Sequence, residues 1–119
     1  MKKPANLQDA YFRFTKLCEA VEKAPGFPGL DDLERKLLHS IAEASRSAKP
    51  VLVGDLIFSN PIGSPATLSR RISSLHNKKL IQYGEDSDGR KKHIELTTKS
   101  EKYFERLGEI LVSACNKSK

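Results

Sequence analysis

Apolar residues recur along much of the chain at alternating three- and four-residue spacing, the period of a helix that buries one face. Leu7, Ala10, Phe14, Leu17 and Val21 form the first stripe and predict a helix from Leu7 to Val21, ended by the turn Pro25-Gly26-Phe27-Pro28-Gly29. A second stripe, Leu33, Leu37, Leu38, Ile41 and Ala44, opens behind Asp31 and Glu34, spaced as a capping arrangement, and runs toward Ala48-Lys49-Pro50. A short third helix is expected over Val51 to Phe58, followed by the turn Ser59-Asn60-Pro61-Ile62-Gly63. Ser64 then suits an N-cap, because its hydroxyl can accept from a free N–H of the first turn. Pro65 suits the first helical position, where a missing N–H costs nothing, so a fourth helix is predicted from about Pro65 to Lys79.

Beyond it, Leu80 to Glu85 and Lys91 to Thr97 are two short segments separated by Asp86-Ser87-Asp88-Gly89-Arg90, which reads as a β-hairpin with a charged tip. Thr98 with Glu101 has capping-box spacing and opens a last helix. Its Phe104, Leu107, Leu111 and Ala114 follow a heptad, with Tyr103 and Ile110 beside them. The expected fold class is mainly α with a small β-hairpin, in the order helix, helix, helix, helix, hairpin, helix. A short helix, a tight turn, a longer helix and a hairpin make a helix-turn-helix with a wing. As one domain over 1–119, this divides into an N-terminal helix and linker (1–29), a winged helix-turn-helix (30–97) and a C-terminal helix (98–119).

The two flanking helices have too little core of their own to cover, which favours a homodimer over an intramolecular core. The dimerisation residues are then Leu7, Phe14, Leu17, Val21, Phe104, Leu107, Leu111 and Ala114.

The 119 residues, 13.3 kDa in all, are one domain's worth of protein, and no second, catalytic domain is expected among them. The net charge of +6 has the sign expected of a nucleic-acid binder, a sign shared by ribosomal and membrane-surface proteins. Its distribution says more, since residues 60–92 hold seven basic side chains against three acidic ones. With Leu68 as the inward reference at about 100° per residue, Ile72 and Leu75 share its side of the fourth helix, and Lys79 lies at that side's margin. The opposite face carries Ala66, Arg70, Ser73 and Asn77, flanked by Thr67, Ser69 and Ser74. Small residues allow close approach to a major groove, hydroxyls and amides suit phosphates and base edges, and Arg suits bidentate contact with guanine. Arg90 at the hairpin tip suits the negative potential of an adjacent minor groove.

Val53-Gly54-Asp55-Leu56, Ser64 to Ile72, Leu75, Lys79-Leu80-Ile81, and Asp88-Gly89-Arg90 leading to Ile94-Glu95-Leu96-Thr97 together resemble the MarR family of winged-helix transcriptional regulators over about residues 30–105. The resemblance implies a homodimer on a palindromic operator, built on its first and last helices, and often a small-molecule effector. It implies major-groove contacts from Ser64, Thr67, Ser69 and Arg70, minor-groove entry of Arg90, and a wing ordered by Asp88. With the outer-face reading, the expected DNA-binding set is Ser64, Pro65, Ala66, Thr67, Ser69, Arg70, Ser73, Ser74, Asn77, Asp88, Arg90, Lys91 and Lys92.

No phosphate-binding, nucleophile-elbow or zinc-protease motif is present, so no enzyme and no cofactor are expected. His39, His76 and His93 have no ligand spacing, and Cys18 and Cys115 form no metal or redox pair and read as small buried apolar residues. An oxidant-sensing role for the two thiols is the alternative, since both fall on the flanking helices. The N-terminus lacks an apolar secretory segment and no apolar run reaches membrane-spanning length, so a cytoplasmic protein without membrane contact is expected. The competing functional reading is a winged helix used as a protein-interaction module, for which exposed apolar residues on the fourth helix and wing would be expected.

Overall fold

The computed structural model describes residues 4–47, 49, 51–58, 61–85 and 92–116. Its elements are α1 (Pro4–Glu22), α2 (Asp32–Ala44), β1 (Val51–Leu52), α3 (Val53–Phe58), α4 (Pro65–Asn77), β2 (Ile81–Glu85), β3 (Lys92–Leu96) and α5 (Thr98–Asn116). They form two compact units, Leu30–Glu101 on one hand, and Met1–Gly29 with Lys102–Lys119 on the other.

In the Leu30–Glu101 unit, α2 begins where Asp31 and Glu34 satisfy each other's backbone. Asp31 Oδ1 accepts from the Glu34 N–H at 2.7 Å, and Glu34 Oε1 accepts from the Asp31 N–H at 2.9 Å. The helix stops at Ala44, short of the expected Ala48-Lys49-Pro50: the Ser45 N–H and hydroxyl still reach the Ile41 carbonyl, at 2.9 and 2.7 Å, but the next N–H groups, of Arg46 and Ser47, turn to the Glu43 and Ala44 carbonyls three residues back, at 3.1 Å each. Leu37, Leu38 and Ile41 are fully buried against α4 and β3.

The third helix is shorter than expected, for Val51 and Leu52 form β1 and only Val53–Phe58 is helical. Val51 lies opposite Ile94 and Leu52 opposite His93, so the open edge of the hairpin gains a partner. The hairpin thus becomes a three-stranded antiparallel sheet of order β1-β3-β2. Its β2–β3 register, from Ile81 opposite Leu96 to Glu85 opposite Lys92, puts Ile81 and Ile94 in the core with Val51 and Leu80.

Ser64 caps α4 as expected, its Oγ accepting from the Thr67 N–H at 3.3 Å, with Pro65 at the first position. The far end corrects the sequence reading, since α4 ends at Asn77 and Lys79 turns into the left-handed region at φ 68°. The N–H groups of Lys79 and Leu80 then bond to the His76 and Leu75 carbonyls, each at 3.0 Å, a Schellman closure that drops Leu80 into the core.

The cap of α5 is shifted by one residue from the expected Thr98–Glu101 pair. Thr97 Oγ1 accepts from the Ser100 N–H at 3.2 Å while Ser100 Oγ accepts from the Thr97 N–H at 3.0 Å, and Ser100 is fully buried. Thr97 holds this place because its hydroxyl also donates to the Lys79 carbonyl at 2.8 Å, tying the start of α5 to the end of α4.

In the other unit, α1 starts three residues before the expected Leu7. Tyr103 and Ile110 are its buried apolar residues. The Tyr103 ring stacks on Phe27 at 4.9 Å, and its hydroxyl donates to Glu22 at 2.8 Å. Elsewhere α1 and α5 leave a groove of about 610 Å³ lined by Leu7, Ala10 and Phe14 on one side and Leu111, Ala114 and Cys115 on the other. Of the expected dimerisation residues, Leu7, Leu17 and Leu111 are exposed and Phe14, Val21, Phe104, Leu107 and Ala114 half-buried. Cys115 is exposed and Cys18 half-buried, so neither is the buried apolar residue expected. Burial and the neighbouring Glu22 carboxylate push the Cys18 thiol above its ordinary pKa, away from the reactive thiolate.

Candidate nucleic-acid interface

Helix α4 divides cleanly by face. Leu68, Ile72 and Leu75 are buried, whereas Ser64, Pro65, Ala66, Ser69, Arg70, Ser73, His76 and Asn77 are exposed. No acid occurs between Pro65 and Asn77. Thr67 is half-buried, and its hydroxyl accepts from Ser64 Oγ at 3.0 Å, so these two are partly engaged in the cap itself. Sequence reasoning missed that His76 extends this face onto the sheet, its ring 4.7 Å from that of Tyr83 on β2. No local pattern signals a ring contact between a helix and the strand that follows.

Ser74 corrects the expected set. It is half-buried and its hydroxyl donates to Glu34 on α2, so it faces the interior of the unit rather than the outer surface. Glu34 is 3% exposed and also accepts from Lys78 Nζ at 2.7 Å, while Arg71 Nε lies 2.9 Å from Asp31 Oδ2. Burial works against ionisation of Glu34, but hydrogen bonds from Lys78, Ser74 and the Asp31 N–H, with the Lys78 charge, outweigh it and hold the carboxyl below its ordinary pKa. Of the two arginines on α4, Arg71 is thus ion-paired to Asp31, the N-cap of α2, and Arg70 is exposed on the outer face.

Asp88, Arg90 and Lys91 lie outside the described residues, and Lys92 is described only by its place in β3 opposite Glu85. At the base of the hairpin, Glu95 accepts from Gln82 Nε2 at 3.0 Å and lies 3.0 Å from His93 Nε2. These contacts, Gln82 first, lower the Glu95 pKa. The pair lies across Gly84, where a Cβ would stand 2.6 Å from His93 Nε2 and 2.8 Å from Glu95 Oε2. A side chain at residue 84 would displace both groups.

Among the described residues there is no cluster of three or more His, Cys, Asp or Glu able to hold a metal ion, and no helix is long and apolar enough to cross a membrane. No family model matches the sequence, and no curated protein matches it. Solved structures do resemble it in three dimensions. A MepR variant of S. aureus bound to an oligodeoxyribonucleotide is 16% identical, with TM-score 0.64 over 100% of this chain and 86% of the other. The organohalide-sensing RdhR transcriptional regulator in its ligand-free form is 16% identical, with TM-score 0.57 over 91% of this chain, which spans only 58% of that regulator's length. A MarR-family transcriptional regulator from Silicibacter pomeroyi is 18% identical, with TM-score 0.50 over 94% of this chain and 68% of the other. Three helices against a three-stranded wing sheet, flanked in sequence by α1 and α5, give this chain the winged-helix fold of MarR-family transcriptional regulators.

Proposed function

We propose that the chain is a transcriptional regulator that reads double-stranded DNA sequence-specifically, as a homodimer on a palindromic operator. The carrying observation is the outer face of α4: exposed, free of acids, and made of small and hydrogen-bonding side chains around Arg70. Such a surface fits a major groove, and one of the similar structures is itself bound to an oligodeoxyribonucleotide. In this reading Ser64, Pro65, Ala66, Thr67 and Ser69 approach the backbone and groove from the start of α4, and Arg70, Ser73 and Asn77 meet base edges. Arg90 enters the minor groove from a wing ordered by Asp88, with Lys91 and Lys92 on phosphates. Dimerisation uses the apolar sides of α1 and α5, including Tyr11 and Val112, which are exposed and absent from the heptads. A small-molecule effector belongs to the same proposal, supported by the organohalide-sensing neighbour.

Selection from a random duplex pool at about 0.15 M salt tests the reading. The expected winner is palindromic and bound roughly a thousandfold more tightly than random DNA. An affinity ratio near one overturns it and favours a protein-docking role for α4 and the wing. Arg70→Ala is expected to cost about 1–3 kcal/mol and to relax one base position, whereas Lys91→Ala weakens all sequences alike.

A further inference from the structure

We infer that Glu34 is a positioning residue for base reading: its carboxylate holds α4 at the rotation that turns Arg70, Ser73 and Asn77 outward. The inference rests on the DNA-binding reading above.

Among the described residues Glu34 is the one buried charged side chain. Its Oε1 accepts from the Asp31 N–H at 2.9 Å and from Lys78 Nζ at 2.7 Å, and its Oε2 accepts from Ser74 Oγ. Arg71, one turn before Ser74, pairs with Asp31 at 2.9 Å. The two acids that cap α2 therefore grip α4 along a single stripe, Arg71, Ser74 and Lys78. Each gripped residue directly follows an outer-face residue: Arg70 before Arg71, Ser73 before Ser74, Asn77 before Lys78. Neighbours in a helix project about 100° apart, so fixing one stripe fixes the azimuth of the other.

The apolar contacts of Leu68, Ile72 and Leu75 hold α4 against the core but are non-directional, and they tolerate a small roll of the helix. The Glu34 hydrogen bonds to Ser74 and Lys78, with narrow angular limits, do not, and the Arg71–Asp31 contact adds an ion pair rather than a further hydrogen bond. An apolar side chain of similar size would serve stability as well as this paired carboxylate, so what the carboxylate adds over one is orientation.

Two readouts test this on Glu34→Gln and Ser74→Ala, each first checked for a cooperative melting transition. One is the affinity ratio of the selected operator to random duplex. The ratio is expected to fall about tenfold in either variant, the effect of weakening one base contact, with random-DNA affinity within about twofold of the parent. The double variant is expected to fall no further than the worse single one, because both changes break one contact. The other readout needs no DNA: backbone amide chemical shifts are expected to move at Arg70, Ser73 and Asn77 as well as near the substituted sites. A folded variant that keeps the ratio within about twofold and moves only amides beside residues 34 and 74 overturns the inference. Should the parent protein itself fail to discriminate among sequences, the DNA-binding reading fails, and the amide shifts alone decide the role of Glu34: movement at the outer face upholds it, and its absence overturns it.

Discussion

The two units of this chain treat their apolar residues in opposite ways. In the Leu30–Glu101 unit Leu37, Leu38, Ile41, Leu68, Leu75, Leu80, Ile81 and Ile94 are all within 2% of full burial, and the exposed face of its longest outward-turned helix is polar. In the unit of α1 and α5, Tyr103 and Ile110 are buried, while Leu7, Tyr11, Phe12, Leu111 and Val112 are each more than half exposed. One unit buries most of its apolar surface, leaving Phe58 and Tyr83 as its exposed large apolar side chains among the described residues, and offers polar chemistry on the outer face of α4. The other leaves apolar side chains whose burial requires a further surface, and at about 25 cal/mol per Å² that surface is a substantial source of association energy.

The contrast can be broken most directly at its closed end. Leu68→Ala, which opens a void beneath α4, is expected to destabilise the Leu30–Glu101 unit by about 2–5 kcal/mol in urea denaturation. An effect below about 1 kcal/mol would mean this core is no tighter than the other unit. At the open end, Leu111→Asp is expected to halve the mass in sedimentation equilibrium, while Leu30–Glu101 stays folded with little change in its own midpoint. A parent protein that sediments at 13.3 kDa would remove the proposed dimer and leave the exposed residues to another partner.

A smaller effect separates the units by pH. The Glu34 carboxyl titrates below its ordinary value in the folded state, so its stabilisation is present above the unfolded value of about 4.3 and is lost as pH falls through the folded one. The acid-side fall in the urea midpoint of the Leu30–Glu101 unit is expected to be shallower in Glu34→Gln; identical slopes would show the carboxylate to be uncoupled from folding. Smallest of all, Lys79→Gly relieves a left-handed residue and is expected to raise the stability of the same unit by up to about 1 kcal/mol.

What could be read in the residues follows the reach of local patterns. Ser64 with Pro65 announces α4, Asp31 with Glu34 announces α2, and the 3.6-residue period separates Leu68 and Leu75 from Ala66 and Arg70 without any tertiary information. Two features escaped because their partners are distant in sequence. Val51 and Leu52 continue an apolar run that a short helix accommodates equally well, and only β3, opposite them through Ile94 and His93, makes them a strand. Ser74 sits at the margin between faces, and the buried Glu34 draws it inward. The cap of α5 escaped in the same way: Thr97 and Thr98 are equivalent as local caps, and the Lys79 carbonyl selects Thr97.

The unit of α1 and α5 is drawn from both sides of Leu30–Glu101 in chain order. During synthesis α1 leaves the ribosome ahead of Leu30–Glu101 but has no Tyr103 to close against until α5 follows, whereas everything the Leu30–Glu101 unit requires arrives as one uninterrupted stretch. The surface proposed to read DNA is then complete while α1 still waits for its partner helix, which makes the proposed self-association a late event in the life of each new chain.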